Sequence, residues 1–134
     1  MKLSIKQSQE LKKIAKKYDL KLIMLFGSFA NGTNRQESDF DLAVSAKKEI
    51  EFKNELKLIS ELSAVFKKNV DLSVMNKANP LLLEQVSKRA MLLHGAKSDF
   101  IKFKLYAFHR YNDYSPYFTM ESQFVKKEIK QYAC

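Results

Sequence analysis

Apolar residues recur along this chain at both helical and strand periods. Over residues 8–17, Leu11, Ile14 and Ala15 fall at helical spacing opposite a lysine-rich face, which predicts an amphipathic helix. Residues 22–26 (Leu-Ile-Met-Leu-Phe) are a short unbroken apolar run ended by Gly27, the pattern of a buried strand feeding a tight turn. Residues 39–45 alternate instead: Asp39, Asp41 and Ala43 point to one side, Phe40, Leu42 and Val44 to the other. Over 50–66, Phe52, Leu56, Ile59, Leu62 and Phe66 make one stripe and predict a second helix. Residues 70–75 predict a third strand, with Val70, Leu72 and Val74 facing one way and Asp71, Ser73 and Met75 the other. Asn79-Pro80 opens a helix with proline at its first position, running to residue 88. Residues 90–94 either extend that helix or form a short edge strand; Gly95 after them favours the strand.

The last third differs in character. Residues 100–111 and 117–132 read as two helices divided by Asn112-Asp113-Tyr114-Ser115-Pro116. Aromatic residues are dense here: Phe100, Phe103, Tyr106, Phe108, Tyr111, Tyr114, Tyr117 and Phe118. Either these helices form an aromatic cap on the core, or an exposed remainder is a partner-docking surface. The expected organisation is therefore a domain over 1–97 and a helical extension over 98–134 that packs on it or on a partner.

Composition narrows the class. A length of 134 residues suits a single soluble domain, and only three glycines and two prolines leave little for flexible linkers. The one cysteine, Cys134, has no internal partner, no apolar run approaches a membrane span, and the start lacks a signal-peptide core. A cytoplasmic protein is expected. The net charge of +9 is spread over helical lysines and not gathered in one block, so it reads as a solvated surface. Direct nucleic-acid binding is not expected from it.

The chemistry lies in the acidic residues. Asp39 and Asp41 share one strand face about 7 Å apart, from a rise of about 3.3 Å per residue. Charges of one sign held that close repel unless a cation sits between them, and hard oxygen ligands suit Mg²⁺. The Gly27-Ser28 turn offers backbone N–H groups and a hydroxyl to phosphate oxygens. Asp71 has the same alternation phase on a strand expected beside theirs. Phosphates, Mg²⁺ and grouped aspartates point to nucleotidyl transfer. Asp39 and Asp41 would hold two metal ions on a triphosphate, and Asp71 would help bind the second and take the proton of the attacking hydroxyl.

Gly27-Ser28, ten residues, Asp39-x-Asp41 and then Asp71 on an apolar strand together resemble the DNA polymerase beta-type nucleotidyltransferase superfamily. Within it, Leu25-Phe26-Gly27-Ser28-Phe29-Ala30-Asn31-Gly32 and Ser38-Asp39-Phe40-Asp41-Leu42 resemble the minimal nucleotidyltransferase (MNT) antitoxins of HEPN–MNT modules. Tyr111-x-Asp113-Tyr114-x-Pro116 is similar to their tail. The resemblance implies an α+β fold, a small mixed β-sheet with helices on one face and a C-terminal helical extension. It also implies Asp39, Asp41 and Asp71 as catalytic metal ligands, with Gly27, Ser28, Ser38 and Arg35 binding nucleotide. Many relatives carry Arg at the position of Asn31, which leaves Arg35 as the loop's candidate phosphate contact. The implied activity is transfer of AMP from ATP, with Mg²⁺, to a tyrosine of a HEPN ribonuclease toxin held in a hetero-oligomer.

Two other functions compete: a non-catalytic antitoxin acting by binding, and a nucleotidyltransferase for a small molecule such as an aminoglycoside, for which the chain has little room. Arg89 and His94 match a HEPN spacing, but a two-residue pattern at the end of a helix reads as chance. His109-Arg110 reads as a surface or interface pair. Ser28 lacks a histidine base, which excludes it as a nucleophile.

Overall fold

The computed structural model describes residues 3–27 and 39–132, apart from the side chains of 117–118, 121–122, 128 and 131–132. Helix α1 (Ile5–Lys17) starts three residues before the periodicity alone suggests. Ser4 and Gln7 form a capping box, each side chain bonding the other's backbone N–H, which satisfies donors that the first turn leaves open. Strands β1 (Leu20–Leu25) and β2 (Phe40–Ala46) are antiparallel, and β3 (Val70–Val74) runs parallel to β2. Helix α2 (Phe52–Phe66) crosses between those two strands. Helix α3 (Pro80–Arg89), capped by the Asn79 side chain, leads into β4 (Met91–His94), antiparallel to β1. The sheet is thus mixed, with order β3-β2-β1-β4. At its far end the Asn76 side chain bonds both the N–H and C=O of Ala46, at 2.9 and 2.8 Å, fixing β3 against β2.

The α+β class and mixed sheet are as expected, but the helices are not confined to one face. Ile23, Leu25, Phe40, Leu42 and Val44 pack under α1 and α2. The alternate residues Leu22, Met24 and Ala43 pack instead with Leu83 and Val86 of α3 and with Phe103 and Ala107 of the last helix. Alternation separates the two sides of β2 but does not show that both are covered, because Asp39 and Asp41 make the Ala43 side look polar and α3 and α4 are distant in sequence. The buried face of α2 also differs from the expected stripe. Leu58, Leu62, Val65 and Phe66 are buried, whereas Phe52 and Leu56 are 71% and 53% exposed. Leu11 and Ile14 of α1 share that core, and packing against them and the sheet selects the Leu58 side of α2.

The largest departure is at the end. Helix α4 (Lys97–Tyr132) is one helix running through Pro116, not two. Proline removes one helical hydrogen bond, that to the carbonyl of residue 112, and residue 112 is exposed, so water can serve that carbonyl. The Thr119 hydroxyl donates to the Ser115 carbonyl at 3.2 Å within the same turn. The β4–α4 turn needs Gly95, whose φ is +127° and where a Cβ would press on the Lys21 carbonyl and Leu22. Helix α4 starts at the far end of the sheet and runs alongside α3. Lys88 in the last turn of α3 has its pKa raised by its bond and charge from Glu84, and Tyr111 of α4 is near enough to add to this. Residues 97–111 cover about 21 Å and the rest of α4 about 30 Å more, at about 1.5 Å per residue. No described helix is long and apolar enough to cross a membrane.

Candidate active site

In the parallel pair β2–β3, Asp41 lies opposite Asp71 and Ala43 opposite Ser73. Opposed residues on parallel strands share a face, so the two carboxylates stand side by side, their backbones about 4.8 Å apart. Asp39 sits one residue ahead of β2, in phase with Asp41 and exposed. The Phe40 N–H donates to the Asn69 carbonyl at 2.8 Å, tying the start of β2 to the start of β3. All three aspartates therefore lie at the same end of the sheet. Asp41 is half-buried and Asp71 exposed. Burial first, then the charges of Asp71 and Asp39, push the Asp41 carboxyl above its ordinary pKa.

The turn after β1 closes over this end. The Phe26 N–H donates to the Asp41 carbonyl at 3.0 Å, holding Gly27 against Asp41. Gly27 has a φ of +79°, and any Cβ there would overlap the Asp41 carboxylate Oδ2. Both the backbone and the approach therefore require glycine. On its other side Gly27 lines a cleft of about 420 Å³, with Phe26, Glu84, Gln85, Lys88 and Arg89. Ser28, Arg35 and Ser38, expected to bind nucleotide, lie outside the described residues, as does Asn31.

Among the described residues no three acidic, histidine or cysteine side chains stand in ligating positions as placed. The donor chemistry suits Mg²⁺: hard carboxylate oxygens, with the Asp41 anion disfavoured first by burial and then by the charges of Asp71 and Asp39, which a cation would offset. Arg89 and His94 end α3 and β4 respectively and are separated by the whole of that strand. Burial, then Lys12, holds His94 below its ordinary pKa. Gln85 and Arg89 line the cleft from the polar last turns of α3, which carry no local motif that marks them.

Residues 9–99 match the polymerase beta nucleotidyltransferase family model. The chain belongs to this family. A 34% identity over 80 residues relates this chain to the protein adenylyltransferase MntA of Shewanella oneidensis. That match takes in 60% of the chain and 58% of the relative's length. A solved toxin–antitoxin structure with AMP-PNP superposes with a TM-score of 0.74 at 26% identity, covering 92% of this chain and 98% of that one. A tri-AMPylated Shewanella oneidensis HEPN toxin in complex with MNT antitoxin gives 0.68 over 92% and 96%; at 23% identity that likeness bears on the fold. The family match ends early in α4, so most of that helix lies beyond the nucleotidyltransferase core.

Proposed function

We propose that this chain is an antitoxin protein adenylyltransferase, transferring AMP from ATP to a tyrosine of a HEPN-type ribonuclease toxin in the cytoplasm. The observation that carries the proposal is the pairing of Asp41 with Asp71, with Asp39 close enough for its charge to act on Asp41, beside a glycine turn packed on Asp41. The adenylyltransferase relative and the toxin–antitoxin neighbour with AMP-PNP support the substrate and the partner. Asp39, Asp41 and Asp71 would hold Mg²⁺, which when bound would supply positive charge to offset the negative charge developing on the leaving pyrophosphate. Asp71, exposed at the edge, takes the proton of the tyrosine hydroxyl. The phenolic oxygen then bonds the α-phosphorus as the bond to pyrophosphate breaks. Gly27, with Ser28, Arg35 and Ser38, holds the phosphates. The bulky anionic product blocks RNA at the toxin.

Residues 1–97 are the transfer domain in this reading, and the second half of α4 docks the toxin. Its Met120, Phe124, Val125 and Ile129 are exposed, more than one small core needs to leave outside. Incubating the chain with ATP, Mg²⁺ and the toxin encoded beside it, then weighing the toxin, should show added AMP. No mass gain while the toxin is still neutralised would mean that the chain acts by binding alone.

A further inference from the structure

The cleft between the Gly27 turn and the last turns of α3 adjoins the carboxylate end of the sheet, since Gly27 both lines the cleft and packs on Asp41. A nucleotide with its phosphates at the carboxylates must send another part of itself somewhere, and this cleft is adjacent. Its wall argues against more phosphate. α3 ends here, and its last carbonyls present partial negative charge. Glu84 is anionic, and Lys88 is committed to it in an ion pair one helical turn away. Among the described lining residues, only Arg89 then remains to meet a polyanion. A neutral ring system suits the wall better. Phe26 offers apolar surface, and the planar guanidinium of Arg89 can stack on a base. The Gln85 amide can donate and accept along a base edge at once. Gln85 and Arg89 are both exposed, and among the described residues Arg89 makes no ion pair.

We infer that this cleft seats the nucleobase of the triphosphate, a purine resting against Phe26 and Arg89 and read by Gln85. The inference rests on the nucleotidyltransferase reading above and assigns its choice of nucleotide to α3. Calorimetric titration of the whole chain with Mg²⁺ tests it, using α,β-methylene ATP, its cytidine counterpart and inorganic tripolyphosphate. The wild-type chain should prefer the purine by about ten-fold, the scale of one good base contact. In the double variant Gln85→Ala, Arg89→Ala that preference should vanish, with tripolyphosphate binding unchanged and the thermal midpoint retained. Equal weakening of all three ligands would make Arg89 a phosphate contact and overturn the assignment. So would wild-type affinities blind to the base, or variants that bind as the wild type does. A wild-type chain that binds none of the three would instead sink the nucleotidyltransferase reading, and the cleft assignment with it.

Discussion

At the head of β2, Asp41 is fixed by what surrounds it. Asp41 is pinned between a parallel neighbour carrying Asp71 and a glycine turn bonded to its own carbonyl. In the second half of α4 the reverse holds: Met120, Phe124 and Ile129 are all more than 60% exposed on a helix that continues beyond the family's core. The first half of the same helix buries Phe103 and Ala107 against the sheet. A transferase needs reacting groups held to within a fraction of an ångström, which a sheet edge supplies. A docking arm needs apolar area left open for a partner. Under the proposed function the contrast would assign chemistry to the sheet and recognition to the helix, and the two should come apart under mutation.

The largest effect should come from Asp41→Asn. Removing a metal-ligating charge loses several kcal/mol from the transition state, so AMP transfer should fall about a thousandfold or more. Toxin binding, measured by calorimetry, should persist. Next, Met120→Asp, Phe124→Asp and Ile129→Asp together should weaken toxin binding about a hundredfold, as for loss of apolar anchors, without changing the thermal midpoint. If transfer to the toxin then survives at saturating toxin concentration, the division of labour stands. Gly27→Ala touches both backbone and carboxylate. It should cost about 1–3 kcal/mol by chemical denaturation and lower the transfer rate as well.

The smallest effect separates charge from packing. The folded-state pKa of Asp41 is raised, so ionising it costs stability: the metal-free fold is more stable below the ordinary carboxylate range and loses that advantage as pH rises through the raised pKa. At neutral pH, Mg²⁺ should therefore raise the thermal midpoint by about 4 °C, the scale of about 1 kcal/mol. Chelation should reverse the rise. Asp41→Asn should be more heat-stable than wild type without the ion and indifferent to it.

Much of the site was legible because strand alternation carries it. The phase of Asp39, Asp41 and Asp71 could be read from their apolar neighbours, and the register of β2 on β3 places Asp41 against Asp71 as that phase requires. The cap of α3 at Asn79-Pro80 and the edge strand β4 were legible for similarly local reasons. What needed the structure is what depends on distant packing. The face α2 buries follows from Leu11 and Ile14, far away in sequence. The second covered face of the sheet follows from where α3 and α4 settle. Pro116 with its polar neighbours reads as a break, yet an exposed helix tolerates a proline whose freed carbonyl meets water. The cleft beside Gly27 joins residues about 60 positions apart, which no local pattern reveals.

The claim on which the rest depends is that three aspartates at the head of β2 and β3 share a divalent ion. Anomalous diffraction from crystals grown with Mn²⁺ and α,β-methylene ATP tests it most directly. The account predicts a peak in contact with carboxylate oxygens of Asp39, Asp41 and Asp71, lost in crystals of Asp41→Asn. A bound nucleotide with no metal peak among those side chains, or a peak that persists in Asp41→Asn, would contradict it.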